Sequence, residues 1–219
     1  MKTNLQKINR QMKLSEDDFA KVFKEVKTSI EHGVANANAE FKKNPEQFDF
    51  RGARAIYATS AIKKLFRRSI YTNDSMYNMI RHLLSHGVDY FLVKGKFLLC
   101  IKKMDKKGRV SSFYSKRFQE TINGGKVKYS NKMLDVLSQL GILKPLPIYF
   151  AGYVLDKAGR LDNIFLVNYE QGQVENVISL KELFEPNLFN IAADKNEANN
   201  VEELVKVKKK GTSRKVSNN

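Results

Sequence analysis

The chain has 219 residues, with 39 Lys+Arg against 23 Asp+Glu and a formal net charge of +16. At 42% hydrophobic and 11% aromatic it carries enough apolar mass for a sizeable core, which excludes global disorder. A single cysteine, Cys100, excludes an intramolecular disulfide and a multi-cysteine zinc site.

No apolar run approaches the ~18 residues of a membrane span. The opening MKTNLQKINRQMK lacks the apolar stretch of a signal peptide. A cytoplasmic protein without a membrane partner is therefore the expectation, and residues 1–14, polar and basic, read as a flexible arm. Ser15 then stands before Glu16-Asp17-Asp18, an N-cap followed by carboxylates at the positive end of a helix dipole. Phe19, Val22, Phe23, Val26 and Ile30 repeat on one helical face. Gly33 is a candidate stop, although the Ala/Asn run at 34–40 can prolong the helix, and Pro45 marks a break.

From Arg51 to Ile70 the period is again helical, through Ala55, Ile56, Ala58, Ile62, Leu65 and Phe66. The polar side of this second helix is basic: Arg51, Arg54, Lys63, Lys64, Arg67 and Arg68. After Tyr71-Thr72-Asn73-Asp74, a third helix is predicted from Asp74 or Ser75 through Met76, Met79, Ile80, Leu83 and Leu84 to Gly87. Two helices joined in this way admit a helix-turn-helix, although any helical hairpin has the same pattern.

The period changes at Val88. Tyr90–Val93, a turn at Lys94-Gly95-Lys96 and Phe97–Ile101 predict a β-hairpin over 88–103. Asp105-Lys106-Lys107-Gly108 is a second turn, Ser115–Ile122 a short helix, and Asn123-Gly124-Gly125 a loop. Ser130 caps a helix through Met133, Val136, Leu137 and Leu140, stopped by Gly141. Residues 148–180 read as a three-stranded meander with turns at 156–159 and 170–172, and Lys181–Phe184 as the start of a last helix. The polar, lysine-rich residues 186–219 are expected to form a disordered basic tail. The predicted architecture is α+β: about three N-terminal helices packed with a mainly antiparallel sheet, in one domain over 15–185 with a helical part to 87.

The charge is concentrated. Residues 51–150 hold 20 basic and 5 acidic side chains, net +15, whereas 151–205 hold 4 and 10, net −6. A one-signed field over a folded stretch attracts polyanions, so the expected partner is nucleic acid, DNA before RNA. The candidate contacts are Lys63, Lys64, Arg67, Arg68, Lys102, Lys103, Lys106, Lys107, Arg109, Lys116 and Arg117. Phe113, Tyr114 and Tyr129, interleaved with these bases, are candidates for either base stacking or the core. One binding face would require the second helix and the 102–128 region to lie together.

Catalysis and metal binding have weaker supports. His82 and His86 stand four apart on the predicted third helix, a spacing that suits a metal, but no further ligand completes a site, and no cofactor is expected. Asp89 opens a strand, and Lys102 ends the next one in Cys100-Ile101-Lys102. That layout is similar to the restriction-endonuclease core, in which an acid on one strand and an acid-x-Lys on the next hold Mg²⁺ beside a phosphodiester. The resemblance covers about 20 residues and implies catalytic roles for Asp89 and Lys102. Cys100 departs from it, standing where the second acid belongs. The leading expectation is thus a non-enzymatic nucleic-acid-binding protein of bacterial or phage type. A metal-dependent nuclease, toxin-like or defensive, is the first alternative. A module docking an acidic protein, or the chain's own 151–205 segment, is the second.

Overall fold

A computed structural model describes residues 11–110, 119–120, 129–170 and 172–184. The chain divides into two compact units, Met1–Lys181 and Glu182–Asn219, and the sheet with its covering helices belongs to the first. The predicted 115–122 helix lies almost wholly outside the described residues, as do the 1–10 part of the arm and the 186–219 tail.

Helix α1 (Glu16–Lys43) starts as its sequence requires: the Ser15 side chain accepts from the Asp18 amide, with three acids in the first turn. Its apolar stripe of Phe19, Val22, Phe23, Val26 and Ile30 is buried. Gly33 does not end it. A Cβ at that position would stand 2.5–2.9 Å from Ile62 Cγ1, Cα and N, so glycine is what lets α1 lie directly against helix α2 (Arg51–Thr72). The stop comes instead at Asn44, ahead of a 3₁₀ turn, Pro45–Phe48.

The predicted third helix is corrected. Only Asp74–Met79 (α3) is helical, capped by the Asn73 side chain on the Ser75 and Met76 amides, and Ile80–Ser85 is strand β1. Met79, Ile80, Leu83 and Leu84 have helical spacing, but pairing with β2 (Val88–Val93) overrides it. His86 and Gly87 turn between the two strands at φ 48° and 76°, left-handed values that a tight hairpin demands. There is accordingly no pair of full helices for a helix-turn-helix here, and His82 and His86 do not share a helix face.

Strands β1, β2, β3 (Phe97–Lys103), β4 (Ile148–Leu155), β5 (Leu161–Glu170) and β6 (Gln173–Ser179) form one sheet in sequence order. Every neighbouring pair is antiparallel except β3–β4, which is parallel. The long connection between β3 and β4 contains helix α4 (Asn131–Gln139), capped by Ser130, and a short helix α5 (Leu180–Phe184) follows β6. The fold is α+β, with N-terminal helices preceding a mostly antiparallel sheet.

Strand alternation sorts the sheet into two faces. One faces α1 and α2: Phe91 meets Phe66 at 4.7 Å between ring centroids, and the Tyr153 and Thr59 hydroxyls lie 2.7 Å apart. The other is covered by α4 and the 104–110 turn, which bury Leu92, Leu98, Cys100, Phe150 and Val167 with Met104, Val110, Met133 and Leu137. The sheet is thus the middle layer of three. No helix among the described residues is long and apolar enough to cross a membrane.

Candidate nucleic-acid interface

Helix α2 contains no acidic residue along its 22 positions. Its inward face, Ala58, Ile62, Phe66 and Ile70, is buried in the core. On the outward face Tyr57, Ser60, Lys64, Arg68 and Tyr71 follow each other at steps of three and four, all exposed. Residues at those steps are surface neighbours, so they form one continuous row. Neither Lys64 nor Arg68 has an acidic partner among the described residues. At the far end of the row the Tyr71 ring lies 6.4 Å from that of Tyr77 on α3, with the two rings 61% and 59% exposed.

Lys63 and Arg67 form a second row, turned toward the sheet. Lys63 Nζ donates to Asp89 Oδ2 at 2.8 Å, and Arg67 lies 3.4 Å from Oδ1. His82 Nε2 reaches the same Oδ1 at 2.7 Å. An ionised carboxylate only accepts, so Nε2 carries the proton. Burial pushes the Asp89 carboxyl upward, but the hydrogen bonds from His82 and Lys63 and their charges outweigh it and hold it well below the usual carboxylate range. His82 also packs on Phe91, with ring centroids 5.3 Å apart, so the cluster is braced by the core.

The 102–109 candidates are built differently. Lys102 shares the α4-side face with Cys100, its neighbour two residues back on β3, whereas Lys103 alternates to the helix side. Both are half-buried. Burial holds the Lys102 ammonium below the ordinary lysine range. Beyond the strand, the Asp105 carboxylate accepts from the Lys107 and Arg109 amides, both at 2.9 Å, and from Arg109 Nε at 3.0 Å. Lys106 is ion-paired with Asp162 at 3.2 Å, across from the acidic C-terminal part of the sheet. Lys107 is exposed.

The turn leans on the α4 side of the sheet, because the Gly108 α-carbon faces Val167 and Val177 and the Val110 amide donates to the Tyr169 hydroxyl at 2.8 Å. The α2 row and the 104–109 turn therefore occupy opposite faces of the sheet. Among the described residues the two are separate basic patches; the 111–118 and 121–128 parts of the expected face lie outside the described residues. Lys116 and Arg117, with Phe113 and Tyr114, lie outside the described residues. Tyr129 packs against the α4-side core, with its ring 6.4 Å from Tyr90.

The same alternation bears on the nuclease-like layout. Alternation sends Asp89 toward α2 and Lys102 to the other face of the sheet, although the two lie close enough to interact electrostatically. Asp89 has its oxygens occupied by three cationic or donor groups, Cys100 is buried between Tyr90 and Phe150 in the α4-side cluster, and Asp105, the acid of the following turn, accepts from the Lys107 and Arg109 amides. No group of three or more potential metal ligands is gathered among the described residues.

Sequence reading missed two parts of this arrangement. Tyr71 reads in sequence as part of a connection and Tyr77 has no role there, and His82 pairs in sequence with His86 rather than with Asp89. For the tyrosines a signal was present, since Tyr57, Lys64, Arg68 and Tyr71 share a helical face in any α2 register. For His82 there was none, because its partner Asp89 becomes its neighbour only when β1 pairs with β2. No protein-family model, curated protein or solved structure matches the chain.

Proposed function

We propose that this protein binds nucleic acid, DNA in the first instance, through the outward row of α2, without catalysing a reaction on it. The observation that carries the reading is a 22-residue helix free of acids that exposes Lys64 and Arg68 between tyrosines. Phosphates attract cations and release counterions on binding, and Ser60 adds a neutral donor for a phosphate oxygen. Lys63 and Arg67, tied to Asp89, stiffen the helix on the sheet rather than supply contacts of their own. Restraining α2 in this way lowers the ordering cost of binding. The Lys106–Arg109 patch on the opposite face is partly neutralised by Asp105 and Asp162, which favours α2 as the principal contact.

The test is an equilibrium titration of the full chain with labelled DNA and RNA at several salt concentrations. A phosphate-driven complex weakens with a log–log slope near −0.9 per neutralised phosphate on duplex DNA and about −0.7 on a single strand. Binding that ignores salt, or no binding to any nucleic acid at low salt, rejects the reading. Cleavage of DNA or RNA in the presence of divalent ions, lost on Asp89→Ala, would replace it with the enzymatic one.

A further inference from the structure

We infer that the preferred ligand is an unpaired strand, with bases stacked on the Tyr71–Tyr77 pair while its phosphates run along Arg68 and Lys64. This rests on the proposed nucleic-acid reading and narrows it. The core leaves isolated apolar side chains on most protein surfaces, but here two large rings stand together at the end of a cationic row. Each presents about three-fifths of its surface to solvent, and each supports the other at 6.4 Å with an interplanar angle of 50°.

Their backbones are fixed from both sides. Tyr71 sits in the last turn of α2, and Tyr77 sits on α3, whose start is held by the Asn73 cap with hydrogen bonds of 3.0 and 3.3 Å. Rings held in this way offer π-faces at small ordering cost, and every base has a face to match, so the contact tolerates any sequence. A duplex cannot use them, because its bases are already stacked on one another and only its phosphates and groove edges are presented. Charge follows the same direction: Arg68 and Lys64 lie three and seven residues before Tyr71, on one helix face, so a strand stacked at Tyr71 passes both cations. Asp74, in the first turn of α3, is the acid at this end of the row. Its charge opposes the phosphate next to the stacked bases.

The experiment compares an oligo-dT strand with a duplex of equal length by fluorescence anisotropy, using the full chain as wild type, Tyr71→Ala, Tyr77→Ala, both Tyr→Phe variants and Asp74→Asn. The expected result is tighter binding of the single strand. Each alanine variant weakens it about tenfold, with the salt slope unchanged because a ring carries no charge. The phenylalanine variants bind like wild type and Asp74→Asn binds more tightly. Both rings are exposed, so the folded state is checked simply by matching thermal melts. Three results overturn the inference while leaving nucleic-acid binding intact: a duplex bound as tightly as the strand, alanine variants equal to wild type, or protein self-association that needs the tyrosines and competes with DNA. Absence of salt-dependent binding to any nucleic acid removes the broader reading as well.

Discussion

Lys63 on α2 and Asp89 on β2 form an ion pair at 2.8 Å, with side chains only 15% and 12% exposed. They are 26 positions apart, and the contact fastens the basic helix to the sheet. Because His82 and Arg67 close on the same carboxylate, Asp89 is an anion around which three positive or donor groups are arranged. Asp89→Asn keeps the shape and removes the charge, leaving Lys63 without a compensating partner in a poorly solvated position. The expected cost is about 2–3 kcal/mol, below that of a fully buried pair because Arg67 is partly solvated. Urea unfolding measures it as a lower midpoint at unchanged slope. A midpoint within error of wild type would show that the cluster contributes nothing.

The same carboxylate sets a pH dependence. Its folded pKa is depressed, so the stabilisation is complete above the unfolded carboxyl value of about 3.9 and is lost as pH falls through the folded value. Acid unfolding of the wild type should therefore be steeper below about pH 4 than that of Asp89→Asn, and the stability gap between them should shrink as the pH drops. Parallel curves for the two proteins down to acid unfolding contradict this assignment.

Two basic patches on opposite faces make a clean comparison. Removing both exposed α2 charges with Lys64→Ala and Arg68→Ala should flatten the log–log salt slope by about 1.4 on single-stranded and about 1.8 on duplex DNA. Stability should stay within about 0.5 kcal/mol, since neither side chain has an acidic partner among the described residues. Lys107→Ala with Arg109→Ala, on the other face, should leave the slope unchanged. The reverse pattern would move the interface to the 104–109 turn.

Gly33 lies directly against Ile62 of α2, and the atoms a Cβ would strike include Ile62 N and Cα, which cannot rotate away. Gly33→Ala gains helix propensity in principle, but it must force the helices apart, for a net loss of about 1–3 kcal/mol. Thermal melting gives the sign at once: a higher melting temperature than wild type refutes the close-approach account.

Cys100 is fully buried, and burial pushes its thiol up to about 12. A neutral, inaccessible thiol is a small apolar side chain. Labelling by a thiol reagent at neutral pH should therefore follow the rate of global unfolding and rise steeply only in denaturant. Rapid stoichiometric labelling of the native protein would place Cys100 at an open site.

Much of this fold was legible residue by residue. Ser15 before three acids marked the start of α1, Ser130 that of α4, and the glycine-bearing turns at 156–159 and 170–172 separated the meander strands. These signals act within a few positions, where capping bonds and backbone angles are decided locally. Ile80–Ser85 was misread for the complementary reason. Its apolar spacing satisfies a helix and a strand alike, and the choice is made by hydrogen bonds to β2, a segment that lies beyond the turn. The Ser85-His86-Gly87 turn before the Val88 strand was the available hint.

By itself the sequence determined the fold class, the concentration of positive charge between residues 51 and 150, and the acid-free polar side of α2. All three follow from composition and short-range periodicity. Only the tertiary structure decided how that charge is shared out. Side chains alternate across a sheet, and a helix shows the sheet one side only, so neighbours in sequence such as Lys102 and Lys103 part to opposite faces. Distant residues, Lys63, His82 and Asp89, meet at one carboxylate for the same reason. Among the described residues the basic side chains of α2 and of the 104–109 turn are therefore two patches rather than one. The outer row of α2 keeps its cations because Asp89 engages Lys63 and Arg67 on the inner row, not Lys64 and Arg68 on the outer.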